Sequence, residues 1–129
     1  MLEQKTESIR TLSDLETALE CRLKAFIKAG SKASDIALES VELIPDRRVA
    51  EKIFAERRNG NVPTADNVKA FKGYLTYFLM KLYAEYGICT ELHVGAMRNN
   101  NGEMLDKLGL DTGYDSIAEE DGICNMSRL

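Results

Sequence analysis

A long, broadly apolar helical segment followed at once by a single strand pattern constrains the fold of this chain most strongly. Residues 65–86 carry apolar side chains at helical spacing, between the opening pair Pro63-Thr64 and the stop signal Gly87. Four further side chains widen the apolar arc beyond one stripe: Tyr74, Tyr77, Met80 and Tyr83. A helix that is apolar over most of its girth needs burial on several sides. The pattern fits either the central helix of a small bundle or a helix whose partner surface lies outside this chain.

Residues 88–94 follow this helix with the two-residue alternation of a strand. One face would carry Ile88, Thr90, Leu92 and Val94, and the other Cys89, Glu91 and His93. A second short strand is possible near residues 32–37, where the pattern is ambiguous. We therefore predict a mainly α fold with one to three short strands, and this order favours a slice of an alternating α/β fold over a complete one.

Two further helices are predicted before the long one. Residues 13–29 show an apolar stripe, and Ser13-x-x-Glu16 has the form of a capping box. Residues 46–58 begin at Asp46, which is suited to an N-cap, and end in a basic turn that complements the helix dipole. The side chains expected on the two buried faces are Leu12, Leu15, Leu19, Leu23 and Phe26, then Val49, Ile53 and Phe54.

Composition narrows the class of protein. The chain has 129 residues, 44% of them hydrophobic, which is the size and composition of one folded domain. Residues 1–10 are polar and are predicted to be loose, which leaves 11–129 as the domain. A net charge of −4 without a clustered basic surface argues against nucleic-acid binding. With no apolar run long enough for a bilayer and three widely spaced cysteines, we expect a cytoplasmic protein with reduced thiols. A single histidine excludes an ordinary zinc site of Cys and His ligands built by this chain alone.

The candidate site residues lie at the end of the predicted strand and just after it. His93 lies near its C-terminal end, and Arg98 is followed by three asparagines, Asn100 in the middle. A guanidinium matches a carboxylate, and asparagine side chains suit sugar hydroxyls. The alternatives are a histidine with a purely structural role and an asparagine run that only forms a turn.

Other polar residues are predicted to have ordinary structural roles. Ser34-Asp35 resembles a cap or turn, because no second histidine is present to complete a catalytic triad. Asp111 and Asp115 are expected to be solvated loop residues. The later glycines lack the spacing of a nucleotide-binding loop.

The stretch ELHVGAMRNNNGEMLDKLGLDTGYDSI, residues 91–117, resembles a hallmark of the uronate isomerase family. That family shows a histidine strand, Arg-Asn-Asn-Asn, and then Asp-Thr-Gly-Phe-Asp-Ser-Ile, with Tyr114 here in place of the Phe. The upstream segment Gly30-Ser31-Lys32-Ala33-Ser34-Asp35-Ile36 is similar to the family's Gly-Cys-x-x-Ser-Asp-His, except that Ile36 replaces the histidine. Helices 46–58 and 65–86 resemble a helical insertion of the family, about 45–87.

The resemblance implies a fragment of a (β/α)₈ TIM-barrel enzyme of the amidohydrolase superfamily. Such enzymes interconvert D-glucuronate with D-fructuronate and D-galacturonate with D-tagaturonate. It implies a catalytic role for His93, hexuronate binding by Arg98 and Asn100, and a divalent metal in the full-length enzyme. The family's metal-binding His-x-His and its late Asp-Ser-Arg do not occur in this sequence. We therefore expect no cofactor or metal site in this chain and no activity in isolation.

Other interpretations of the same chain remain open. One alternative is a non-catalytic helical module, derived from that fold, that serves interaction or regulation. A second is one fragment of an enzyme that is assembled in trans from several chains. Because its ends fall beside family helices, we expect an internal piece of a longer protein. The apolar long helix and the unpaired strand edges favour a homodimer or larger self-association.

Overall fold

A computed structural model describes residues 9–38, 40–42 and 46–117. The predicted loose segment 1–10 lies almost wholly outside the described residues, as do the last twelve residues of the predicted domain, 118–129.

Four helices are described, and the mainly α prediction is confirmed. They are α1 (Leu12–Lys28), α2 (Arg47–Arg58), α3 (Ala65–Tyr86) and α4 (Gly102–Leu108). The first three begin and end within one residue of the predicted bounds. None of the helices in the described ranges is both long and apolar enough to cross a membrane.

The strands form two small sheets. β1 (Ala33–Leu38) and β2 (Cys89–Val94) are parallel, in a register that pairs Ala33 with Cys89 and Leu38 with Val94. Parallel neighbours need a crossover connection, and α2 and α3 provide it here. β3 (Ala96–Met97) and β4 (Ser116–Ile117) form an antiparallel pair of two residues each. The described residues therefore form four strands, one more than the upper limit predicted. The antiparallel pair was not predicted because strands of two residues are too short to show an alternation in sequence.

The core lies where the first three helices meet. Leu12, Ala50 and Tyr74 form its buried centre, one residue from each helix. Partly buried apolar side chains pack around them: Leu15, Phe54, Phe71, Leu75 and Phe78. The prediction was wrong for Val49 and Phe26, which are 45% and 52% exposed. The buried stripe of α2 runs through Ala50 and Ile53 instead.

The predicted capping box of α1 is shifted by two residues. Thr11 is the N-cap, its hydroxyl accepts from the backbone N–H of Asp14 at 3.1 Å, and Asp14 accepts in return from the N–H of Thr11 at 2.8 Å. Ser13 and Glu16 instead face α2. This prediction failed because the spacing Ser-x-x-Glu satisfies the motif in sequence, whereas a tertiary partner engages both side chains.

That partner is Arg47. Its Nε and Nη2 donate to the two carboxylate oxygens of Glu16 at 3.1 and 2.8 Å, and Nη2 also donates to Ser13 Oγ at 2.9 Å. The Tyr74 hydroxyl donates to the same carboxylate. Glu16 thereby connects three helices. Burial acts to raise the pKa of Glu16, but the hydrogen bonds from Arg47 and Tyr74 together lower it below its usual value. Burial and the Glu16 carboxylate raise the pKa of Tyr74 to about 12.

The parallel sheet turns one face towards the helices and the other to solvent. β2 contacts α3, and residues of both strands alternate between exposed and partly buried positions. A cavity of about 320 Å³ lies between β1 and α3, lined by side chains that include Ile36, Leu38, Leu75 and Leu79. The alternation predicted for β2 is confirmed, with His93 on the solvent-facing side.

Candidate functional site

A polar cluster occupies the exposed face of the parallel sheet. Asp35 lies opposite Glu91, and Ala37 lies opposite His93, so Asp35 and His93 are diagonal neighbours across the two strands. Nδ1 of His93 lies 3.3 Å from Oδ1 of Asp35. Ser34-Asp35 was predicted as a cap or turn and is instead part of β1. The sheet register therefore gives the histidine a carboxylate partner far away in the sequence.

Three side chains of this cluster offer ligand atoms that lie within 4.8 Å of one another: Asp35, Glu91 and His93. Carboxylate oxygen and imidazole nitrogen are donors that divalent metals accept. All three residues are exposed, and Asp35 is already engaged with the imidazole. These are the side chains of the described residues whose geometry comes nearest to a metal site. As it stands, the arrangement is that of an exposed histidine in contact with one carboxylate.

Arg98 and Asp115 form a second polar group, beside the short antiparallel pair. Arg98 Nη1 lies 2.7 Å from Asp115 Oδ2, and the backbone N–H of Asn99 donates to Asp115 Oδ1 at 2.9 Å. The bond from the Asn99 backbone, and then that from Arg98, lower the pKa of the Asp115 carboxyl. Asp115 was predicted to be a solvated loop residue. Its carboxylate instead binds Arg98 and the backbone of Asn99.

Each asparagine after Arg98 has a distinct structural role. Asn99 has a left-handed backbone, with φ of 54°, and its Oδ1 accepts from the N–H of Asp111 at 2.9 Å. The Asn100 side-chain amide donates to Ser116 Oγ. Asn101 is the N-cap of α4, accepting from the N–H of Met104 at 3.1 Å. The Arg-Asn-Asn-Asn run and the Asp-Thr-Gly-Tyr-Asp-Ser run thus fold into one loop structure.

The three predicted site residues fall into two groups. His93 contacts Asp35 on the parallel sheet, whereas Arg98 contacts Asp115 and Asn100 contacts Ser116 at the short antiparallel pair. Arg98 was predicted to bind a substrate carboxylate. In the structure one of its nitrogens, Nη1, binds the carboxylate of Asp115 in the same chain. Sequence reasoning missed Asp35 and Asp115. The alternation of β1 was the only signal for Asp35, since it puts that carboxylate on the outward face.

Comparison with known proteins shows which family the chain belongs to. The family model for glucuronate isomerase matches residues 1–129. The chain belongs to the glucuronate isomerase family, which confirms the resemblance.

The curated relatives are longer proteins. The uronate isomerase of Caldanaerobacter subterraneus is 41% identical over 122 residues, which cover 94% of this chain and 26% of that protein. The uronate isomerase of Bacillus subtilis is 37% identical over 115 residues, or 88% of this chain and 24% of that protein. The chain thus spans about a quarter of the length of these relatives.

Two solved structures share the fold of this segment. The uronate isomerase of Thermotoga maritima superposes with a TM-score of 0.70 at 27% identity, covering 85% of this chain and 25% of that one. The glucuronate isomerase of Caulobacter crescentus gives a TM-score of 0.75 over 94% of this chain and 25% of that one. At 23% identity, the second likeness bears on the fold alone.

Proposed function

We propose that this chain supplies one segment of a uronate isomerase active site and is inactive in isolation. In this proposal, β1 and β2 are adjacent strands of a (β/α)₈ barrel, and α2 and α3 are the helical insertion between them. The exposed sheet face is the barrel interior. The reaction is an aldose–ketose isomerisation of a hexuronate such as D-glucuronate or D-galacturonate.

The observation that carries the proposal is the exposed polar face of a parallel sheet. Parallel sheets are almost always covered on both faces. Here the helices lie on one side, while Asp35, Glu91 and His93 are exposed on the other. His93 is the second-last residue of β2, and barrel enzymes place functional groups at the C-terminal ends of their strands. Covering this face with the rest of a barrel would enclose the histidine in a site.

The two polar groups suit different parts of a hexuronate. Moving a proton between adjacent sugar carbons through an enediol-like intermediate requires a placed acid or base, the role proposed for His93. The substrate's carboxylate requires a cation, and Asp115 engages only one nitrogen of Arg98, whose side chain is 54% exposed. The remaining donors of that guanidinium are suited to the substrate. The proposed role of Asn100 is to add a polar contact to a sugar hydroxyl.

The divalent metal implied by the family resemblance does not fit the residues of this chain. The resemblance assigns its ligands to a His-x-His and an Asp-Ser-Arg, and this sequence contains neither. No step of the proposed reaction is therefore assigned to a metal bound by this chain. A cytoplasmic location and the lack of a nucleic-acid partner also remain predictions.

A chimera tests the proposal. The matching segment of the Bacillus subtilis uronate isomerase is replaced by this chain, and folding is verified by circular dichroism. The chimera is expected to isomerise glucuronate, and His93→Gln is expected to lower kcat by about 100-fold or more. Cys89→Ser, on the same exposed face, is the matched control and should change kcat less than about twofold. A folded chimera that keeps its kcat after His93→Gln would contradict the role of this histidine.

A further inference from the structure

The contact between Asp35 and His93 determines which imidazole nitrogen is available for chemistry. The two side chains sit on the same face of the sheet, with Nδ1 of His93 at 3.3 Å from Oδ1 of Asp35. An ionised carboxylate only accepts hydrogen bonds, so the facing nitrogen must carry a proton for the contact to be favourable. In a neutral imidazole the other nitrogen, Nε2, then has the lone pair.

Apart from His93, the described residues of the exposed face carry no nitrogen or hydroxyl donor that could compete for Nδ1. Glu91 precedes His93 by two positions on the same face, and its carboxylate is again only an acceptor. Cys89 and the two alanines of β1 on this face, Ala33 and Ala37, complete it. Asp35 is thus the group in contact with Nδ1, and Glu91 provides an internal comparison.

We propose that Asp35 is a positioning residue that holds His93 with Nδ1 protonated and presents Nε2 as the proton or hydrogen-bond acceptor. A histidine side chain without such a partner favours the opposite tautomer, with the proton on Nε2. That Nε2 serves an isomerase reaction rests on the proposed function, whereas the tautomer does not.

The chain contains a single histidine, so its tautomer can be read without assignment. The full chain is labelled with ¹⁵N-histidine, and long-range ¹H–¹⁵N correlation spectra are recorded at pH 9, where an ordinary imidazole is neutral and carboxylates are ionised. The ratio of the Nδ1–H to the Nε2–H form is compared between the native chain, Asp35→Ala and Glu91→Gln. Asp35→Asn, which preserves the side-chain shape, is the second variant in case the alanine variant does not fold.

The ratio of Nδ1–H to Nε2–H is expected to be about two- to tenfold higher in the native chain than in Asp35→Ala, the range that corresponds to the net contribution of one hydrogen bond. Glu91→Gln should leave the ratio unchanged. An equal ratio in the native chain and the Asp35 variant would overturn the proposal. So would a change of the same size in Glu91→Gln. Neither outcome depends on turnover, so a failure of the catalytic role of His93 would be seen separately.

Discussion

At the scale of single residues, carboxylates that pair across the chain organise both the core and the candidate site. Glu16 binds Arg47 and Tyr74 at the meeting point of three helices, and Asp115 binds Arg98 and the backbone of Asn99 beside the short sheet. Each carboxylate has a lowered pKa, because hydrogen bonds stabilise its ionised form.

Replacing Glu16 by glutamine is expected to lower the free energy of unfolding by about 1–2 kcal/mol, the range for a partly buried hydrogen bond to a charged group. The side chain of Glu16 is 15% exposed, whereas Glu51, 3.6 Å from the same Arg47, is 52% exposed. Glu51→Gln is therefore the control and should cost less than about 0.5 kcal/mol in urea unfolding. Equal losses for the two variants would contradict the connecting role of Glu16.

The pH dependence of this difference has a defined sign. The pKa of Glu16 is lower in the folded chain than in the unfolded chain, so its stabilisation is present above the unfolded value of about 4.3. It is lost as the pH falls through the folded value. The difference in stability between the native chain and Glu16→Gln should therefore shrink below about pH 4.

Arg98→Lys tests whether the arginine serves substrate or fold. Lysine keeps the charge that faces Asp115 but lacks the planar fork that grips a second carboxylate. In the chimera, kcat/KM for glucuronate should fall about tenfold through a higher KM, with little change in the unfolding midpoint. A variant that loses stability but keeps its kcat/KM would assign Arg98 to the loop structure alone.

At the scale of elements, the bounds of the helices could be predicted from the sequence, whereas the contacts between distant elements could not. Apolar spacing and stop signals located α1, α2 and α3 within one residue, because both signals are local in the sequence. β1 was ambiguous, since Ile36 and Leu38 line a cavity with residues of α3, which comes later in the chain. The capping box was misplaced for the same reason, since local sequence does not reveal distant partners. Glu16 binds Arg47, 31 residues later in the sequence, instead of capping α1.

The candidate site shows the same division. The residue types near His93 indicated chemistry, and the Arg-Asn-Asn-Asn run was recognisable as a family hallmark. Asp35 was missed because its relation to His93 depends on the strand register, which no local pattern states. Asp115 was missed because it lies 17 residues after Arg98 in the sequence, with α4 between them.

The end of α3 offers a prediction at this scale. Gly87 is its C-cap with φ of 65°, a left-handed conformation, and a Cβ added there would meet no atom within 4 Å. Gly87→Ala should therefore destabilise by about 1–2 kcal/mol through backbone strain alone. Gly102→Ala is the matched control, since its Cβ also meets open space and its φ is not positive. It should be neutral or slightly stabilising in thermal unfolding, and an equal cost at both positions would refute the argument.

At the scale of the whole molecule, we expect the uncovered sheet to determine whether the chain self-associates. One face of the parallel sheet is exposed, and in the described ranges each of its two strands has one hydrogen-bonded neighbour. Unpaired strand edges favour pairing with another chain. The apolar side chains of α3 are a weaker reason than predicted, because Tyr74 and Leu82 are buried within this chain.

We expect self-association that weakens on dilution. Light scattering coupled to size exclusion over a dilution series should show a homodimer or larger species at high concentration. Adding a charge at the outward position Ala37, as Ala37→Lys, should shift the equilibrium towards monomer, since edge and face charges oppose sheet pairing. A stable monomer of 14.4 kDa at every concentration would show that the sheet needs no cover.

Turnover by the isolated chain is the most direct test of the claim that it carries part, and not the whole, of a uronate isomerase site. The chain is incubated with glucuronate and with galacturonate, with and without added divalent metals, at concentrations high enough to detect slow reactions. The account predicts no ketose product above the level of a His93→Gln control. Turnover that persists through purification from host isomerases, and that is lost in His93→Gln, would show that this chain forms a complete active site.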